Sequence, residues 1–374
     1  MRTCKKCFEW LYVFVNGDVR CCPWNYKVVG NLKYNTLSEI WKGEIMEEIR
    51  QAFMNGELRY CNEHYCPDCI NELETLDISE TKMQEMYDNL PDVPSTINLS
   101  YDERCNHACP SCRDKFFKPD SKYLENLKSI TSNIEPYLSQ VKTISANGIG
   151  DLFVSQELLD MLSRFRPQRD DFDIHIETNG ALFKKNWDKL KHFGDYSFTV
   201  SVTPNSFDRE TYKYLAGIDD LDKFEESLSF ITQLKHQGKI NRIRIIMVIQ
   251  DSNFRQIPQF IKKAIDVYDA DEVILRPIFG WFGLKEDDLL YKNVLNPCHP
   301  YNKEYEEIIK DPILSDSRVF NWAYDVPQES IEFPTLAMKR EYESLMRSNS
   351  CVKPKKKKDF NYIISKLAAI GKKG

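Results

Sequence analysis

Between residues 95 and about 280 the chain alternates between two hydrophobic periods. Short runs rich in β-branched and aromatic residues read as strands: STINLS (95–100), KTISA (142–146), FDIHIE (172–177), YSFTVSV (196–202), RIRIIMVI (242–249) and EVILRPI (272–278). Stretches with apolar residues at helical spacing lie between them, near 121–139, 155–165, 184–192, 220–237 and 254–268. Six such strand-then-helix steps predict a parallel sheet with helices packed outside. Right-handed crossovers curl such a sheet into a partial or full barrel, and ligands then sit at the carboxyl ends of its strands.

The flanks read differently. In residues 1–72, LYVFVNGDVRCC predicts a hairpin turning at Asn16-Gly17-Asp18. Thr36 and Glu39 have capping-box spacing ahead of a helix through IWKGEIMEEIRQAF, which ends near Asn55-Gly56. Residues 73–94 are acidic and helical, and close on LPDVPS as a linker. The barrel pattern occupies 95–284, and a C-terminal extension fills 285–374. In its last stretch Phe360, Ile363, Ile364, Leu367 and Ile370 recur at helical spacing, with Gly371 as the stop.

A chain of 374 residues has room for two domains. Its 42 % hydrophobic and 29 % charged residues suit a globular protein. A net charge of −6 argues against nucleic acid as a partner, although the tail from Lys353 carries eight lysines against one acid. No run of eighteen apolar residues is present, so no membrane span is expected. The start lacks the apolar run of a secretion signal, which places the expected location in the cytoplasm, where thiols stay reduced.

The cysteines change the picture most. Of twelve, seven fall in the first 69 residues (Cys4, Cys7, Cys21, Cys22, Cys61, Cys66 and Cys69), and three fall within eight residues (Cys105, Cys109 and Cys112). Clustered cysteine in a reducing compartment points to metal, not disulfides. Cys105-Asn-His-Ala-Cys109-Pro-Ser-Cys112 directly follows the first predicted barrel strand. Three thiolates on one short loop wrap three irons of a cubane and leave the fourth open. The alternative is a zinc knuckle with His107 as fourth ligand, or buried free thiols.

This spacing and context resemble the radical S-adenosylmethionine (SAM) superfamily, whose Cys-x3-Cys-x2-Cys loop follows the first strand of a partial (β/α)6 TIM-like barrel. The resemblance implies that the open iron chelates SAM. One electron then yields methionine and a 5′-deoxyadenosyl radical that takes a hydrogen atom from substrate. Later positions agree in order. Asn147-Gly148-Ile149-Gly150-Asp151 resembles the family's Gly-Gly-Glu element, Thr178-Asn179-Gly180 its Thr-Asn-Gly, Ser201 its ribose-contacting Ser, and Gln250 with Asn253 its Gln-x2-Asn. SAM is therefore expected at Gly148, Gly150, Asp151, Thr178, Asn179, Ser201, Gln250 and Asn253. Three positions depart from the pattern. Asp151 replaces the usual Glu. Ser111 stands where an aromatic usually precedes the third cysteine, and Ala216 where relatives carry an Arg.

The N-terminal cysteines resemble the SPASM/twitch module of radical SAM enzymes, here preceding the barrel. That implies an auxiliary [4Fe–4S] cluster on Cys4, Cys22, Cys66 and Cys69, with Cys7, Cys21 and Cys61 as alternates; zinc is the other metal such sites suit. The implied function is a radical SAM oxidoreductase or isomerase whose auxiliary cluster relays an electron supplied by a donor such as flavodoxin or ferredoxin. A peptide substrate is expected, as in maturation of ribosomally made peptides. The first alternative is modification or epimerisation of a sugar or nucleotide, with Cys298 as hydrogen-atom donor. The second is a zinc-stabilised nucleic-acid-binding protein using Lys355–Lys358.

Overall fold

The computed structural model describes residues 4–62, 66, 69, 78–113, 115–146, 149–278, 289, 291–297 and 299–321. Within them, all six predicted strands form, as β4 (Thr96–Leu99), β5 (Thr143–Ala146), β6 (Asp173–Thr178), β7 (Ser197–Val202), β8 (Arg242–Ile249) and β9 (Glu272–Pro277). Each pairs in parallel with the next. The helices between them bury one apolar stripe each. In Ile257–Asp266, Ile257, Phe260, Ile261 and Ala264 follow the i, i+3, i+4, i+7 rule and are all buried.

Two further parallel strands extend this sheet. β1 (Trp10–Val13) pairs with β4, and β10 (Val319–Asn321) pairs with β9. β2 (Asp18–Arg20) and β3 (Gly30–Asn31) add antiparallel strands beyond β1, giving the order β10-β9-β8-β7-β6-β5-β4-β1-β2-β3. The predicted hairpin is thus real, with Asn16 at φ 60° and Gly17 at φ 76° in its turn. Its first strand is also a barrel strand, because Leu11 and Val13 continue the apolar row of Ile97 and Leu99 at zero or near-zero exposure.

The sheet is strongly curved. Glu177 on β6 and Arg276 on β9 are separated by two strands, yet their side chains bond at 2.9 Å. In a flat sheet three strand spacings would hold them about 14 Å apart. Their shared face is therefore the concave one. It carries a registered polar row across five strands: Tyr12, Asn98, Ser145, His175 and Thr199. A parallel α/β sheet rolled into a partial barrel is the architecture expected from the alternating pattern.

The capping box of Thr36 and Glu39 forms. The helix it starts, however, breaks into Leu37–Trp41 and Glu44–Met54, with Gly43 as the second N-cap. Packing explains the break: the Trp41 indole is fully buried and donates to the Pro91 carbonyl at 3.0 Å. Part of the stretch read as a linker is thereby docked, since Ser38 and Lys42 also bond to Asp92. No helix among the described residues is long and apolar enough to cross a membrane.

Arg50 ties this N-terminal region together. Only 1 % exposed, it donates to the carbonyls of Cys7 (3.1 Å) and Trp41 (2.8 Å) and stacks on the Trp41 ring. Arg50→Ala leaves two buried carbonyls unpaired and should cost roughly 2–5 kcal/mol. Chemical denaturation of the full chain checks this; a loss under about 1 kcal/mol would contradict it.

Candidate functional site

The loop leaving the carboxyl end of β4 carries Cys105, Cys109 and Cys112, all partly exposed. It is held by bonds made outside itself. Ala108 N–H donates to the Ala216 carbonyl at 3.2 Å. Gly217, in the left-handed region at φ 70°, lets that segment approach so closely that a Cβ would meet the Ala108 carbonyl at 2.4 Å. Behind the loop, buried His107 meets Asp220 at 3.2 Å, and the Tyr212 hydroxyl donates to the same carboxylate at 3.0 Å. Burial alone would raise the Asp220 carboxyl; the bonds from His107 and Tyr212 outweigh it and hold it below its usual range.

Burial, and next the Asp151 charge, push the Cys105 thiol up to about 12. Burial, and next Cys105 and Cys112, do the same to Cys109, also to about 12. Thiols this reluctant to ionise become thiolates only when a cation takes the proton's place. Among the described residues no three His, Cys, Asp or Glu side chains converge as one ion requires. Ligands of a cubane bind separate irons and need no common point, and three thiols on one loop suit three of its irons. His107, the candidate fourth zinc ligand, is engaged by Asp220 instead.

Three strand-end loops meet at these thiols. Gly150 packs so tightly under the cysteine loop that a Cβ would meet the Arg104 carbonyl at 2.2 Å. Asp151 N–H donates to that carbonyl at 2.9 Å. The Asp151 carboxylate accepts from Thr178 Oγ1 (2.6 Å), Asn179 N–H (3.0 Å) and Phe153 N–H (3.0 Å). Asn179 Nδ2 donates to Asn106 Oδ1 at 2.9 Å and lies 3.7 Å from Cys105 Sγ. The loops after β4, β5 and β6 thus form one hydrogen-bonded rim around Cys105.

The remaining expected SAM contacts divide. Ser201 is bonded to His175 Nε2 at 2.7 Å, inside the barrel. Asn253 Nδ2 donates to the carbonyls of Asn205 and Val248, both at 2.9 Å, and its Oδ1 accepts from Gln250 N–H at 2.7 Å. Asn253 therefore shapes the turn after β8. Gln250 is fully buried, and neither its Oε1 nor its Nε2 has a partner among the described residues. Such an amide keeps both a donor and an acceptor in reserve. Gly148, Cys298, Cys351 and Lys355–Lys358 lie outside the described residues.

In the N-terminal unit Cys4, Cys7, Cys21, Cys22, Cys66 and Cys69 are buried and Cys61 partly so. Burial, then the charges of Cys22 and Cys4, raise Cys61. A bond from Cys21 lowers Cys22, despite its burial. The alternate Cys61 therefore faces the same group as Cys4, Cys22 and Cys66. Cys7 lies deeper, beside Arg50, raised first by burial and then by Cys4.

Sequence reasoning missed three features of the site: the His107–Asp220–Tyr212 network, the clamp of Arg104 between Asp102 and Glu157, and Arg113. The only hint of the first was His107 itself, a histidine inside the cysteine loop that the sequence offered as a zinc ligand.

The iron–sulfur cluster-binding SPASM domain family matches residues 4–70. A probable GTP 3′,8-cyclase of Pyrococcus abyssi is 22 % identical over 222 residues, covering 57 % of this chain and 66 % of that protein. The FeMo cofactor biosynthesis protein NifB of Methanocaldococcus jannaschii is 22 % identical over 244 residues, covering 58 % of this chain and 80 % of that protein. Two solved structures overlap more loosely. The [FeFe]-hydrogenase maturase HydG has a TM-score of 0.37 at 11 % identity, covering 74 % of this chain and 63 % of that one. Methylornithine synthase PylB has a TM-score of 0.35 at 10 % identity, covering 86 % and 96 %. The chain thus spans just under two thirds of the length of the cyclase it matches. The resemblance to radical SAM enzymes with a SPASM-type domain holds, and with it the cofactors it implies, [4Fe–4S] clusters and SAM.

Two outcomes follow from this geometry. Gly150→Ala forces the 149–151 turn off the Arg104 carbonyl, so the variant should melt at a lower temperature than the wild type; an unchanged melting temperature would contradict the packing. Burial is the first cause that lowers His175 from 6.5, ahead of an opposing Glu177 charge. The folded protein therefore favours neutral imidazole. Its contribution is present above 6.5 and lost as pH falls through the lower folded value. The melting temperature of the wild type should accordingly fall faster below pH 6.5 than that of His175→Gln; parallel slopes would refute this.

Proposed function

We propose that this chain cleaves SAM reductively at a cluster seated on Cys105, Cys109 and Cys112, and uses the resulting radical to take a hydrogen atom from a substrate C–H bond. The observation that carries this reading is the rim itself. Three thiols open at a strand end, Cys105 and Cys109 of them reluctant to ionise, with the loops of Gly150–Asp151 and Thr178–Asn179 bonded around them. When bound there, a reduced cluster supplies the electron that splits SAM into methionine and a 5′-deoxyadenosyl radical.

The chain's own residues do the positioning. The Gly150 backbone allows close approach to the cysteine loop, and Asp151 holds the β5 and β6 loops in one orientation. Gln250 offers a paired donor and acceptor from the end of β8, suited to a nucleobase or amide edge. The N-terminal thiols, with Cys4, Cys22, Cys66 and Cys69 or with Cys61 among them, would carry an auxiliary cluster that passes an electron, with flavodoxin or ferredoxin as the external donor. β1 joins that unit directly to the barrel sheet and brings Tyr12 onto its concave face, where the hydroxyl accepts from Ser100 Oγ at 2.8 Å.

For the substrate, two classes remain, a peptide and a sugar or nucleotide. The concave face favours the second. It presents His175, Glu177 bonded to Arg276, and Arg244 paired with Glu272, which suits a compact, charged molecule. Similarity to a protein named for cyclising GTP agrees with this.

The test is anaerobic reconstitution with iron and sulfide, then reduction in the presence of SAM. The wild type should release 5′-deoxyadenosine, and Cys105→Ala, Cys109→Ala and Cys112→Ala should not. Asp151→Ala should raise the SAM requirement about 10- to 100-fold. A wild type that binds iron at this loop but leaves SAM intact would refute the proposal.

A further inference from the structure

We propose that Arg113 is the cation that sets the reduction potential of the three-cysteine cluster, and that the same guanidinium clamps the cysteine loop to the SAM-side turn at 149–151. This deepens the function proposed above and requires Cys105, Cys109 and Cys112 to be the seat of a cluster.

Arg113 follows the third cysteine directly, and its N–H closes the loop on the Cys109 carbonyl at 2.9 Å. Its guanidinium, half-buried, reaches three groups. Nη1 donates to the Glu103 carbonyl at 2.6 Å. Nη2 donates to the Ile149 carbonyl and lies 3.8 Å from Cys112 Sγ. The fork thus joins the start of the cysteine loop, its last thiol, and the residue before Gly150-Asp151. A planar guanidinium has donors enough to do this at once; an ammonium on a flexible stem does not hold the same geometry.

The charge matters as much as the shape. The Cys105 sulfur is approached by His107 N–H at 3.4 Å and by Asn179 Nδ2 at 3.7 Å, both neutral amides. Arg113 brings a full positive charge to Cys112. The neighbouring Arg104 is paired with Asp102 and Glu157, which cancel its charge locally. Among the described residues the hydrogen bonds of Arg113 go to two carbonyls and a sulfur; the nearby Glu103 carboxylate feels its charge without bonding to it. Reduction adds one negative charge to a cluster already carrying thiolates. A cation at bonding distance from one of those sulfurs, sheltered from water, favours the reduced state.

The experiment is a redox titration of the anaerobically reconstituted full chain. It follows the EPR signal of the reduced cluster that changes when SAM is added, which separates this cluster from the auxiliary one. In Arg113→Gln the ratio of reduced to oxidised cluster at fixed potential should fall roughly tenfold, a shift of about 59 mV for a one-electron couple. Arg113→Lys should keep a potential near that of the wild type but need more SAM to saturate the spectral change, because the carbonyl clamp is gone. Cluster retained in Arg113→Lys but lost in Arg113→Gln would also support the role of the charge. An unshifted potential in Arg113→Gln with its signal intact would overturn the proposal, as would loss of the cluster from both variants. If the wild type itself gives no SAM-responsive signal, the seat of the cluster is wrong and the proposed function fails with it.

Discussion

Crowded thiols at the rim of a barrel constrain everything around them. Cys105 and Cys109 are each pushed up to about 12 where they stand, mainly by burial and partly by nearby negative charge. Such a loop cannot be charged and stable on its own. It needs a cation to neutralise it and a scaffold to hold it. The neighbouring segments supply the scaffold: Gly217 against the loop's back, Gly150 beneath it, and the buried Asp220 that fixes His107. Glycine at the two closest approaches removes the side chains that would lift the loop away.

The same constraint explains how the N-terminal unit relates to the barrel. A small cysteine-rich unit buries little apolar surface and gains order from whatever it docks on. Here β1 joins the parallel sheet beside β4, Gly17 lies against Ile130, and Trp41 closes on Pro91. The segments that carry the seven thiols of that unit and the three of the barrel loop are therefore joined through one continuous sheet.

Much of the architecture was legible from periodicity. The β-branched runs at 242–249 and 272–278 became β8 and β9, mostly buried, with Arg244, Glu272 and Arg276 on the concave face. The capping box at Thr36 was readable because it is local. The pairing of β1 with β4 was not, since partners about 86 residues apart leave no local mark. The site divides in the same way. Cysteine spacing announces a cluster, but His107 and Asp220 are 113 residues apart and meet only in the fold. Gln250 and Asn253 looked equivalent in sequence. Packing assigns one to the backbone and leaves the other's amide open.

The central claim is that three thiolates leave one iron of a cubane for SAM. Mössbauer spectroscopy of the reconstituted, 57Fe-enriched chain tests it most directly. Adding SAM should move one iron in four of the loop's cluster toward higher coordination and leave the other three unchanged. Four irons that respond alike, or a spectrum indifferent to SAM, would contradict it.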